Sequence, residues 1–74
     1  MRRFVDREGT AWDVVLGRES WGAIYALFVP SGSAPIRQAP LPASAYDVAT
    51  QQLDAMSNTQ LQQLLDESQL KPES

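Results

Sequence analysis

The stretch Trp21-Gly-Ala-Ile-Tyr-Ala-Leu-Phe-Val-Pro30 decides the fold of this 74-residue chain. Side chains of a β-strand alternate between its two faces, and here both sets are apolar. The odd-numbered residues from Trp21 to Val29 would form one face, and the even-numbered residues from Gly22 to Phe28 the other. The sequence therefore predicts a strand that has to be buried on both sides.

A β-hairpin is predicted before this strand, with residues 3–6 as its first strand and residues 10–16 as its second. Asp6 can accept hydrogen bonds from the turn backbone, and Gly9 can adopt the positive φ that closes a three-residue loop with a bulge. The alternating apolar residues of the second strand share one face, which we expect to be the core side: Trp12, Val14 and Leu16.

An antiparallel meander is favoured over a parallel sheet. Parallel pairing needs a crossover of a dozen or more residues, and nothing before Trp21 resembles a helix. Residues 17–20 offer the turn into the apolar strand, and Pro30 ends that strand because proline cannot donate to the hydrogen-bond ladder. Residues 36–39 are predicted to add a short fourth strand, so the sheet should have three or four strands.

Two short helices are predicted after the sheet. The first should run over residues 45–56, with Ser44 as its N-cap and an apolar face at helical spacing. Ser57, followed by Gln60 three residues later, has the spacing of a capping box for a second helix that ends near residue 69. The predicted fold class is α+β, an antiparallel β-meander of three or four strands followed by two short helices packed on one face.

The chain length predicts a single small domain over residues 1–70, with a sheet in 1–42, a helical pair in 43–70 and a flexible tail in 71–74. A domain of this size buries only about 60–65% of its unfolded surface when it folds alone. The sequence has no cysteine to supply a disulfide. We therefore expect modest stability, and docking to a partner or oligomerisation as the reinforcement.

Charge and chemistry limit the functional classes. The net charge is −3, with five arginines against four acids up to Pro42 (+1) and one lysine against five acids after it (−4). Because histidine and cysteine are absent, serine triads and zinc sites are excluded. The hairpin carboxylates Asp6, Glu8 and Asp13 fit turn chemistry better than a cation site. We identify no catalytic, cofactor-binding or metal-binding residue and expect a protein that is not an enzyme.

The sequence gives a default location in the cytoplasm. The apolar run is about half the length that a transmembrane helix needs. Arg2 and Arg3 are followed by only two apolar residues before the charged run Asp6-Arg7-Glu8, which disfavours a secretory signal. Peripheral association with a membrane complex stays open as an alternative.

A candidate interface follows from the two apolar faces of the strand. If Trp12 and Trp21 share the face that the helices cover, Ile24 and Phe28 lie on the uncovered face, where exposed apolar side chains mark protein contacts. A bulge between residues 17 and 22 would exchange the faces. The interface prediction also includes Tyr25 and three arginines at the sheet edges: Arg2, Arg3 and Arg37.

The sequence favours a non-catalytic interaction module, an accessory or stabilising subunit that docks onto a larger protein assembly through a sheet face or an edge strand. A homo-oligomer would use the same surfaces. The alternatives are a small regulator that contacts nucleic acid through its arginines and a peripheral subunit of a membrane complex. Nucleic acid is the weaker alternative, because four acids interrupt the five arginines.

One pattern spans most of the chain and consists of a Phe-x-Asp-x-x-Gly-x-x-Trp-x-Val hairpin, a Trp-led apolar strand and a leucine-rich helix. Its residues are Phe4, Asp6, Gly9, Trp12, Val14, Trp21, Leu61, Leu64 and Leu65. This pattern resembles short uncharacterised bacterial proteins. The resemblance implies a hairpin-then-helix order and a bacterial source, and it carries no activity or site residues.

Overall fold

The structure, a computed structural model, describes residues 2–18, 22–43 and 45–71. Five strands form one antiparallel sheet in chain order: β1 (Arg2–Val5), β2 (Ala11–Arg18), β3 (Ile24–Pro30), β4 (Arg37–Pro40) and β5 (Gln69–Leu70). Two helices lie between β4 and β5 in sequence: α1 (Tyr46–Ala55) and α2 (Asn58–Glu67). The predicted α+β meander followed by two helices is confirmed, with a short fifth strand added.

The first hairpin has the predicted turn. Gly9 has φ +88°. One carboxylate oxygen of Asp6, Oδ1, accepts hydrogen bonds from the backbone N–H groups of Glu8 and Thr10, each at 2.9 Å. The Asp6 N–H donates across the turn to the Thr10 carbonyl at 3.0 Å. The turn therefore sets the register in which Phe4 pairs with Trp12.

The second turn differs from the prediction. Residues 17 and 18 belong to β2, and Gly17 pairs with Tyr25 across the sheet. The connection from β2 to β3 is residues 19–23, of which 19–21, Trp21 included, lie outside the described residues. Because Arg18 pairs with Ile24, the even-numbered residues of β3 share a face with Trp12.

The fourth strand is confirmed with a shift of one residue, and β5 covers its outer side. Arg37 and Gln38 pair with the two residues of β5, and the Lys71 N–H donates to the Ile36 carbonyl at 2.9 Å. Lys71 is thus tied to the sheet, although the sequence placed it in a flexible tail. Residues 72–74 of that tail lie outside the described residues.

The helix boundaries are close to those predicted. Ala45 is the N-cap of α1 and makes no side-chain cap hydrogen bond, while the predicted cap, Ser44, lies outside the described residues. The capping box of α2 is confirmed, because Ser57 Oγ accepts from the Gln60 N–H at 3.2 Å and Gln60 Oε1 accepts from the Ser57 N–H at 2.8 Å. This helix ends at Glu67, two residues early, because residues 69 and 70 pair with β4.

The hydrophobic core lies between the helices and one face of the sheet, here called the covered face. Phe28 is fully buried at its centre, with its ring edge-on to Phe4 at 6.4 Å and to Trp12 at 6.3 Å between centroids. The other buried apolar residues complete the cluster: Val14, Ile24, Ala26, Ala39, Leu41, Ala49, Leu53, Leu61 and Leu65. The predicted core face of β2 is confirmed, with Leu16 packed at its margin.

Candidate docking face

The opposite face of the sheet is the candidate functional site. Strand registers place the odd-numbered residues of β1, β2 and β3 together on this side, with Gln38 and Pro40 of β4 beside Leu27 and Tyr25. Its principal side chains are those of Arg3, Val5, Asp13, Val15, Tyr25, Leu27 and Val29, and we call this set the open face. These side chains are half-buried or exposed, whereas every fully buried strand residue lies on the covered face. The buried residues of both helices belong to the core on the covered side, and α2 reaches the outer end of β4 through Leu64.

Two residues of the predicted interface are corrected by the structure. Ile24 is 1% exposed and Phe28 0% exposed, so both belong to the core and not to the uncovered face. The reason is the length of the β2–β3 connection, which pairs even-numbered residues of the two strands and so exchanges the two faces of β3. The apolar surface was therefore predicted on the wrong side of the strand.

Tyr25 does lie on the open face, where it pairs with Gly17 on one side and with Pro40 on the other. Its side chain is half-buried. It also borders a groove of about 400 Å³ at the outer end of β4, which Leu64 lines from α2. Tyr25 is thus one of the predicted interface residues that the structure leaves accessible.

The arginines of the first strand and turn are held at separate places. Arg2 donates to the carbonyl of Asp54 at 3.0 Å, at the C-terminal end of α1, where a cation is favourable. Arg3 lies 3.5 Å from Asp13 directly across the strand pair. Arg7 forms a two-pronged ion pair with Asp66, at 2.8 and 3.3 Å. These contacts spread the positive charge over the molecule instead of gathering it in one patch.

The remaining arginines also contact their own chain. The guanidinium of Arg18 lies 5.6 Å from the centroid of the Tyr46 ring. Arg37 donates to the hydroxyl of Ser68 at 2.8 Å and to its carbonyl at 2.6 Å, and so fixes the residue that ends α2. Arg37, a predicted interface residue, therefore has a structural role in joining the helix to the sheet.

Hydrogen bonds lower the pKa of two carboxylates, those of Asp6 and Asp66. The indole N–H of Trp12 donates to Asp6 Oδ2 at 2.9 Å and, with backbone N–H donors, holds the pKa of Asp6 below its ordinary value. The hydrogen bonds from Arg7, and then from Gln62, lower the pKa of Asp66. Both oxygens of Asp6 thus accept hydrogen bonds that hold the hairpin turn and the Trp12 indole.

The two edges of the sheet are less suited than the open face to binding a partner. The Asp6 bond to Thr10 means that Arg3 and Val5 direct their backbone groups outward from β1, an edge of only four residues with two arginines. On the other edge, β5 covers Arg37 and Gln38, and the next outward residue is Pro40, which has no N–H. Charge protects the first edge from pairing with another strand, and the short strand and the proline protect the second.

Comparison of the chain with family models, with curated proteins and with solved structures finds no match. The resemblance to short bacterial proteins accordingly stays a prediction. Within the described residues, no helix has the length and apolar character needed to cross a membrane.

Sequence reasoning identified the apolar strand but missed the residues that line the open face beside Tyr25. These are Val15, Leu27 and Val29. The signal was present, since both faces of the strand are apolar and β2 carries a valine among its non-core positions. What the sequence did not reveal is the pairing register that selects one set for the core.

Proposed function

We propose that this protein is a non-catalytic protein-interaction module, an accessory or stabilising subunit that binds a protein partner through the open face. One observation carries the proposal. Tyr25, Leu27 and Val29 in β3 lie on the side of the sheet that no described helix covers, beside Val15 of β2. Contiguous apolar side chains on an exposed surface are typical of protein contact sites.

The face is favoured over the edges as the binding surface. Strand addition needs a row of free N–H and C=O groups. The β4 edge is interrupted by Pro40, and the β1 edge is short and carries Arg2 and Arg3. Natural sheets use such prolines and charges to discourage edge pairing. The open face has no comparable protection except at Arg3 and Asp13, which lie together at one side.

In residues 2–18, 22–43 and 45–71, the side-chain geometry favours this proposal over catalysis or nucleic-acid binding. Asp6 is saturated by hydrogen-bond donors, and Asp66 is paired with Arg7. Phosphate binding needs clustered, available cations, whereas Arg7 and Arg37 are both committed to their own chain. The apolar surface is the feature that still lacks a partner within the described residues.

The test compares a substitution on the open face with a matched substitution on the other side of the molecule. Leu27→Asp places a charge on the open face, and Val48→Asp places the same charge on α1, where Val48 is 44% exposed. Tagged wild type and both variants would be recovered from cells that also express an untagged copy. We expect a second chain, either the untagged copy or another protein, to copurify in stoichiometric amount with wild type and with Val48→Asp. We expect that second chain to be absent from the Leu27→Asp preparation. Equal recovery with all three would contradict the proposal, provided that circular dichroism shows each variant folded.

A further inference from the structure

We infer that the partner on the open face is a second copy of the same chain, which would form a two-fold dimer with the two sheets face to face. This inference rests on the proposed function and names its partner. Two sheets packed in this way lie about 10 Å apart, with their inner side chains interdigitated. Each copy would then bury its apolar strand on both sides.

Charge is the first argument for a second copy. Among the described strand residues, the open face carries one cation, Arg3, and one anion, Asp13, with Nη1 and Oδ1 3.5 Å apart. Its net charge is therefore zero. A strongly charged partner would find no counter-charge there. A neutral face that holds one charge of each sign complements itself, because Arg3 of one copy can meet Asp13 of the other in an isologous contact.

Most of the other charges lie on the opposite side of the molecule, where Arg2, Arg7 and Arg18 accompany the acids of the helices. The two helices contain four acidic residues and no basic one, namely Asp47, Asp54, Asp66 and Glu67. Each molecule is only 19 Å along its shortest axis. Stacking two sheets and two helix layers at about 10 Å each would separate the two helix layers by roughly 30 Å, several times the Debye length of about 8 Å at physiological salt. Face-to-face packing thus leaves the charges of both signs on the helix side at the two outer surfaces of the dimer, outside the contact.

The open face is the broadest apolar surface of the sheet and exceeds either edge in area. The two longer axes of the molecule are 32 and 30 Å. That outline includes the helices and loops, and the five strands, with 25 residues at about 3.3 Å by 4.8 Å each, cover roughly 400 Å² of it, about half of the ~800 Å² per partner that a standard interface buries. A pair through the β1 edge would bury much less, and it would bring Arg2 and Arg3 of the two copies together.

The first experiment measures mass by sedimentation equilibrium or light scattering as the concentration is raised. One chain has a mass of 8.2 kDa, so a dimer would have twice that value. We expect wild type and Val48→Asp to reach the dimer mass and Leu27→Asp to stay at the monomer mass. A wild-type protein that stays monomeric up to about 1 mM, beyond the Kd of any standard interface, would overturn the inference. So would a Leu27→Asp dimer.

The second experiment uses the exposed ion pair, whose side chains are 65% and 40% accessible and can be changed without touching the core. Arg3→Asp makes the open face doubly negative, and Asp13→Arg makes it doubly positive. We expect each variant alone to dimerise at least tenfold more weakly at low salt, with the difference narrowing at high salt. We expect an equal mixture of the two to recover the dimer mass. Two variants that dimerise like wild type, or a mixture that stays monomeric, would overturn the face-to-face arrangement.

The two proposals can fail separately. A different chain that copurifies with wild type and is lost with Leu27→Asp, together with a monomeric purified protein, would leave the interaction module standing and overturn the second copy as its partner. Both proposals would be overturned if the protein did not self-associate and if no chain that copurifies with wild type were lost with Leu27→Asp.

Discussion

The side chain of Leu27 lies across the backbone of Gly17 on the open face. A Cβ atom on Gly17 would come within 2.8 Å of Leu27 Cδ1 and 3.2 Å of its Cγ. Gly17 sits in β2, directly opposite Tyr25 and diagonal to Leu27. The missing side chain lets Leu27 lie flat against the strand, which is a close approach of the kind that explains a glycine inside a strand.

Gly17→Ala should therefore change the shape of the open face more than the stability of the fold. Alanine suits the extended backbone at least as well as glycine, so we expect the free energy of unfolding to change by no more than about 1 kcal/mol. Leu27 has to move by several tenths of an ångström or rotate. We expect several-fold weaker self-association by sedimentation equilibrium.

Gly32→Ala is the matched control, because a Cβ atom at Gly32 would meet nothing within 4 Å. Gly32 lies in the exposed β3–β4 loop. This variant should associate like wild type. Equal weakening by both substitutions would show that the contact between Gly17 and Leu27 has no special role in the face.

Phe28→Ala should cost about 3–5 kcal/mol, the range for removing a buried aromatic side chain. Phe28 is 0% exposed and contacts Phe4 and Trp12 edge-on, so its loss leaves a cavity in the centre of the core. Because small domains have a total stability of only about 5–15 kcal/mol, this loss is a large fraction of the total and should shift the urea midpoint far downward. Urea unfolding followed by tryptophan fluorescence measures the loss.

Leu27→Ala, one residue away on the other face, should cost less than half as much, because its side chain is already partly exposed to solvent. The comparison tests the assignment of the two faces of β3 directly. A larger loss from Leu27→Ala than from Phe28→Ala would reverse that assignment.

Local signals were sufficient to predict most of the fold. The Asp6 turn, the helix start at Ser57 and the alternation of Trp12 and Val14 each depend on residues close together in sequence, and each is confirmed. The short strand β5 has only two residues and no periodicity of its own. It exists because residues 69 and 70 reach Arg37 and Gln38, more than thirty positions earlier, and such long-range pairing has no local signal.

The candidate site was harder to predict than the fold. The sequence showed that β3 is apolar on both faces. Which face enters the core depends on whether the even-numbered residues of β2 pair with the even-numbered or the odd-numbered residues of β3. That parity places Ile24 opposite Arg18 and Phe28 opposite Val14. A connection longer or shorter by one residue would exchange the two faces while leaving every local pattern intact. For this reason Phe28 was assigned to the wrong side and Leu27 was missed.

Asp6→Asn should destabilise the protein at neutral pH, by about 1–2 kcal/mol for the lost charge-assisted hydrogen bonds. An amide that keeps its oxygen towards the Glu8 and Thr10 N–H groups turns its own N–H donors towards the indole N–H of Trp12. The measurement is the urea midpoint of wild type and variant at several pH values.

The pH dependence follows from the lowered pKa of Asp6, whose largest cause is the Trp12 hydrogen bond. The folded protein holds the ionised carboxylate more tightly than the unfolded chain does. The ionised Asp6 carboxylate contributes fully to the free energy of unfolding above its pKa in the unfolded chain, near 4. That contribution is lost as the pH falls through the lower pKa of the folded protein. The difference in free energy of unfolding between wild type and Asp6→Asn should thus decrease as the pH is lowered from 7 towards 3. Glu8→Gln, an exposed change in the same turn, is the control, and a gap that widened in acid would contradict the assigned role.

Ser57→Ala should lower the free energy of unfolding by about 1 kcal/mol, because the Oγ atom that accepts from the Gln60 N–H at 3.2 Å is removed and the first turn of α2 loses its cap. Gln60→Ala removes the reciprocal bond to the Ser57 N–H. Since the two bonds hold the same turn, the double variant should lose less than the sum of the single losses. Chemical denaturation of the four proteins measures this coupling.

Ser33→Ala, in the exposed loop after β3, is the matched control. An unchanged midpoint for Ser57→Ala would mean that the packing of Leu61 and Leu65 against the sheet fixes the start of α2 without its cap.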